Sequence, residues 1–111
     1  MRDIKFRAWS SISSGNSPRM VEIKYGEIED LQEEEGWKVM QFTGLKDKNG
    51  VGIYEGDVLL VEGINHSVVW NDSDAGFGMK EGDAAVIYPL HDEVYNPVVI
   101  GNIHENPELL E

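Results

Sequence analysis

Apolar and polar residues alternate as soon as the chain begins: Ile4, Phe6 and Ala8 stand against Lys5 and Arg7. That period of two predicts a first strand with one buried face and one basic face. The segment RMVEIKY (19–25) resumes the pattern with Met20 or Val21, Ile23 and Tyr25 inward. The turn-rich SSISSGNSP (10–18) lies between them, so the two strands are predicted to pair as a long-looped hairpin. WKVMQFT (37–43), aromatic and β-branched, reads as a third strand. Residues 26–36, GEIEDLQEEEG, admit two readings. Ile28 and Leu31 lie one helical turn apart and Gly36 suits a helix end, which gives a short helix near 27–35. Glu33, Glu34 and Glu35 would then sit at the helix C-terminus, where the dipole disfavours anions, so an acidic loop is the rival.

Beyond residue 57 the apolar runs are short: VLLVEG (58–63), SVVWN (67–71), AAVIYPL (84–90) and NPVVIGNI (96–103), each bounded by Gly, Pro, Asn or Asp. A spacing of about ten to fifteen residues is that of a β-meander or small barrel. In ENPELLE (105–111), Asn106 as N-cap, Pro107 at the first helical position and Glu108 in the first turn predict a short terminal helical turn. The expected fold is therefore mainly β: a small SH3-like or meander barrel over about 44–105, an N-terminal hairpin region over about 1–43 and a C-terminal helical turn. The alternative is an α+β fold with the helix near 27–35.

A length of 111 residues suits one domain, long enough for a single core. With no cysteine, the chain has no disulfide, thiolate nucleophile or thiolate-bound zinc. The first residues lack the apolar run of a signal peptide, and stretches such as 58–61 are far too short to span a bilayer, so a cytoplasmic protein without membrane contact is expected. Nine basic against twenty-one acidic residues leave a net charge of −12, unevenly placed. Residues 1–24 hold Arg2, Lys5, Arg7, Arg19 and Lys24 against Asp3 and Glu22, a local +3. The rest carries −15, which argues against general binding to phosphate backbones.

The segment TGLKDKNGVGIYEGD (43–57) invites a ligand-loop reading, and two tests remove it. With Gly50 at the sixth position of a calcium-binding EF-hand loop, positions 1, 3, 5 and 12 become Leu45, Asp47, Asn49 and Gly56, and two essential ligand positions are lost. For a dinucleotide fingerprint starting at Gly50 and Gly52, the third glycine falls on Glu55. Architecture fits better: Asn49-Gly50 suits positive φ at both centres of a tight hairpin turn. Gly56-Asp57 suits a second turn in which Asp57 binds nearby amides before the next strand. Glu-Gly-Asp recurs at 81–83 without amounting to a repeat.

His66, His91 and His104 are widely spaced and read as surface loop residues rather than metal ligands. No Gly-x-Ser-x-Gly elbow is present, and paired acids such as Asp72 and Asp74 follow from the acidic composition alone. Trp9, Trp37 and Trp70 lack the interleaved cations of a base-stacking platform, except around the first strand, and are read as core or interface residues.

Three segments, IKFRAW (4–9), MQFTGLKDKNGVGIYEGDV (40–58) and VIGNIHENPELLE (99–111), together resemble the YopX family of phage and prophage proteins. The chain departs from it at Ser10, where Asp is usual, and at His104, where Tyr is usual. The resemblance implies a small, mainly β, self-associating protein of mobile genomes, with no assigned reaction or cofactor. The expected function is that of a non-enzymatic oligomeric interaction protein in the bacterial host cytoplasm, binding an unknown host or phage protein. Alternatives are nucleic-acid binding through Arg2, Lys5 and Arg7, or an acidic decoy for a host DNA-binding protein.

Overall fold

The computed structural model describes residues 4–10, 18–23, 37–82, 87–90 and 96–110. The disputed segment 26–36, the loop 11–17 and His91 lie outside them. The chain forms two compact units, Met1–Phe42 and Thr43–Glu111. Nine antiparallel strands and a terminal 3-10 turn make up the described structure.

In the first unit, β1 (Phe6–Ser10) pairs with β2 (Arg19–Ile23), Ala8 opposite Val21, and on its other edge with β3 (Trp37–Lys46), Ala8 opposite Val39. The predicted hairpin is present. Among the described residues of this unit, Ala8, Ile23, Met40 and Phe42 are the buried apolar ones, whereas Ile4, expected inside, is largely exposed. β3 continues through Lys46, so the strand is ten residues long rather than the seven its composition marks. In the four-stranded sheet, ordered β2-β1-β3-β4, its last neighbour is β4 (Gly52–Tyr54).

The second unit holds a five-stranded sheet ordered β8-β7-β6-β5-β9. It is formed by β5 (Asp57–Val61), β6 (Ile64–Asn71), β7 (Gly76–Lys80), β8 (Ile87–Pro89) and β9 (Val98–Asn102). Register fixes its faces, because residues paired across an antiparallel ladder point the same way. Leu59 opposes His66 and Val99, Val68 opposes Met79, Met79 opposes Tyr88, and Trp70 opposes Phe77. This one face carries the core: Leu59, Val61, Val68 and Met79 pack with Ile53 and Leu90, and with the half-buried Leu45, Phe77 and Val99. Pro107–Leu110 form the predicted terminal turn, as a 3-10 helix.

The mainly β expectation holds, but among the described residues the sheets do not close into a barrel. Both remain open, with β2 and β4 at the edges of one and β8 and β9 at the edges of the other. At these edges β4 is three residues long, and Pro89 in β8 has no N–H to offer a further strand.

Candidate functional site

The segment 43–57 is a hairpin built around a buried carboxylate. Asp47 is 6% exposed. Its Oδ1 accepts the N–H groups of Asn49 and Val51, both at 2.8 Å, and its Oδ2 accepts that of Val99 in β9 at 2.9 Å. Its main chain closes the same turn, donating to the Val51 carbonyl and accepting from Gly50 N–H. Burial alone raises the Asp47 pKa, but the three main-chain donors favour the anion and hold it below its ordinary value of 3.8. The turn differs from the predicted one. Gly50 has φ of +83°, whereas Asn49 does not adopt positive φ. Residues 47–50 thus form a type I turn with Asp first and Gly last, rather than one needing positive φ at both centres. Thr43 joins β3 to β4, its hydroxyl donating to the Ile53 carbonyl at 2.7 Å.

The second predicted turn is centred on Gly56, with φ of +87°. Asp57, 2% exposed, accepts the Tyr54 N–H at 2.8 Å. The main chain of Gly56 is held on both sides, by the Val68 carbonyl and the Ile103 N–H. At the chain end, buried Asn102 accepts the N–H groups of His104 and Glu105, and Asn106 returns the contact by accepting the N–H of Asn102. The side chains of Asp47, Asp57, Asn102 and Asn106 and the main chain of Gly50 and Gly56 therefore all meet main chain, while Asn49 gives its N–H to the Asp47 carboxylate.

A cavity of about 230 Å³ opens elsewhere, at the β5–β6 end of the core face, lined by Val61, Glu62, Ile64, His66, Met79, Glu81 and Tyr88. Sequence reasoning missed it. β5 and β6 are joined by Glu62-Gly63, with φ of +52° and +80°, a tight turn with positive φ at both centres. Glutamate there is strained, since that region favours Gly, Asn and Asp. The turn sets Glu62 at the rim, and Glu81, one residue beyond β7, stands across it. His66 is not a surface loop residue as predicted: it lies in β6, on the core face, and is 7% exposed. Its Nδ1 lies 3.0 Å from the Ile64 carbonyl oxygen. A carbonyl only accepts, so Nδ1 is the donor of this contact. Tyr88 meets the His66 ring edge to face at 6.5 Å. A second cavity of about 420 Å³ adjoins, sharing Ile64 and Glu81 and reaching Asn65 and Leu109, which are joined by a 2.8 Å hydrogen bond.

The basic strand proposed for nucleic acid divides. Arg2 lies outside the described residues. Lys5 places its ammonium over the Phe42 ring, 5.0 Å from the centroid, and the half-buried Arg7 directs Nη2 at the Met40 sulfur, 3.8 Å away. Both cations thus spend part of their reach inside their own unit. Among the described residues, no three His, Asp or Glu side chains are placed to hold a metal ion. No described helix is long and apolar enough to cross a membrane.

Comparison with known proteins fits this geometry to a family. The family model described as YopX protein matches residues 7–111. Among solved structures, the crystal structure of protein EF1440 from Enterococcus faecalis resembles this chain with a TM-score of 0.64 and 28% sequence identity, covering 100% of both chains. No curated protein matches it.

Proposed function

We propose that this chain, which belongs to the YopX family, is a non-enzymatic interaction protein that self-associates, carried by phage or prophage and acting in the bacterial cytoplasm. The observation that carries self-association is the unevenly covered core face of the five-stranded sheet. Along β6 that face runs Ile64, His66, Val68, Trp70, and its two ends stay open: Ile64 is 44% exposed and Trp70 46%, with Tyr88 of β8 at 44%. Large apolar side chains left open at both ends of a packed face are the material of interfaces. The reading as a binding protein rests on the motif carboxylates of Asp47 and Asp57, which main-chain N–H groups engage rather than leaving them poised as an acid or base.

Light scattering tests the proposal. The expected result is an assembly larger than the 12.5 kDa monomer that grows more stable with salt, because screening relieves repulsion between copies of charge −12. Trp70→Ser together with Ile64→Thr is expected to shift the mass toward the monomer. A monomer at every concentration and salt overturns self-association. A mobility-shift titration at low salt serves the nucleic-acid alternative, which requires binding that charge reversal at Arg2, Lys5 and Arg7 abolishes.

A further inference from the structure

The cavity between the β5–β6 turn and Tyr88 presents one kind of chemistry to whatever enters it. Glu62 and Glu81 offer carboxylates at the rim, and neither has a hydrogen-bond or ion-pair partner among the described residues. Inside, His66 is more than nine-tenths buried, its Nδ1 proton is committed to Ile64, and no described residue engages its Nε2. Tyr88 supplies an aromatic ring and Met79 a polarisable apolar floor. The rim carries two carboxylates, and the walls are aromatic and apolar.

We propose that this cavity binds the cationic head of a basic side chain, the guanidinium of arginine or the ammonium of lysine, presented by a partner protein. Both heads only donate hydrogen bonds, and both gain from carboxylates and from an aromatic wall, which is the complement of this lining. Size agrees: about 230 Å³ takes one side chain rather than a nucleotide. A bare metal ion fits poorly, because Glu62, His66 and Glu81 share the cavity without converging on a common point. The strained φ of Glu62 points the same way, since glutamate occupies a turn position that Asn or Gly would fill without strain. This inference rests on the binding-protein reading above for its partner, and not on self-association.

The test is a nitrogen-15 NMR titration of the full chain with N-acetyl-arginine-amide and with N-acetyl-lysine-amide. The uncharged isostere N-acetyl-citrulline-amide is the control. For one isolated side chain the expected affinity is about millimolar. The two cationic probes should shift the amides of Ile64, His66, Glu81 and Tyr88, and citrulline should not; whichever cation binds tighter names the partner side chain. Glu62→Gln with Glu81→Gln, both exposed and therefore safe for folding, should weaken binding at least tenfold. If His66→Phe does not fold, Tyr88→Ala serves as the interior variant, with an expected loss of about threefold to tenfold for the aromatic wall. Equal shifts from citrulline, shifts scattered over the acidic surface, or cation binding indifferent to the double variant each overturn the site. Light scattering on the same samples separates the proposals: a monomer that binds the probe keeps this one and ends self-association, and an assembly with a silent cavity does the reverse.

Discussion

The Asp47 turn and the β5–β6 turn each place an acid where one strand hands over to the next, and they treat it in opposite ways. Asp47 sits buried with three main-chain N–H groups on its two oxygens, one of them from β9, so its charge is consumed in holding the turn. Glu62 stands exposed at a cavity mouth, in a backbone conformation that its side chain disfavours. The difference teaches how to sort carboxylates in an acid-rich chain. One saturated by amides is scaffold, and removing it costs stability. One that faces a cavity without a partner is available, and removing it costs binding while the fold is indifferent or improves.

The sharpest way to break that comparison is Asp47→Ala, which strands the part-buried N–H donors of Asn49, Val51 and Val99 and should cost about 2–3 kcal/mol. A loss below about 1 kcal/mol in urea unfolding would mean that water or neighbouring carbonyls replace the carboxylate. Next come the glycines. Gly56→Val, at φ +87° in a buried turn, should cost about 2–3 kcal/mol, and Gly50→Val, at φ +83° with open space around a new side chain, about 1–2 kcal/mol. Thermal unfolding ranks the two, and the reverse order would show that burial at Gly56 adds nothing to strain.

A third test uses pH. Asp47 has a depressed pKa in the folded state, so its contribution is fully present above the unfolded value of 3.8 and is lost as pH falls through the lower folded value. The stability gap between the wild type and Asp47→Asn should therefore be constant near neutrality and shrink below about pH 4. A gap that stays constant to pH 2 would place the stabilisation in shape rather than charge. The smallest effect has the opposite sign: Glu62→Asn should stabilise by about 0.5–1 kcal/mol, since asparagine tolerates the positive φ of this turn. Destabilisation there would show that Glu62 supports the fold, and the contrast with Asp47 would fail.

Local signals in the sequence carried much of the fold. The alternation in 4–8, the β-rich run from Trp37 and the caps of 105–111 each lead to the element observed. Two strands were illegible for local reasons. β7, GFGMK, holds two glycines in five residues, and β4, GIY, is too short for a pattern; both are strands because neighbouring ladders recruit them. The cavity was illegible for a different reason. Glu62, His66, Glu81 and Tyr88 show no motif spacing, and only the pairing of β5 to β6, β6 to β7 and β7 to β8 brings them to one end of one face.

By itself, then, the sequence determined what depends on near neighbours: mainly β structure, the glycine-bearing turns at 50 and 56, and a motif in 43–57 that is architecture rather than a calcium or phosphate loop. Only the tertiary structure decided what depends on distant pairing. The Val99 N–H reaches Asp47 across fifty-two positions, Asn49 keeps ordinary φ, the sheets stay open, and His66 turns from a surface loop to the core face. Strand register decides three of these, because which face a side chain joins is set by strands that lie far apart in the chain, while Asn49 keeps ordinary φ where the buried Asp47 carboxylate takes its N–H.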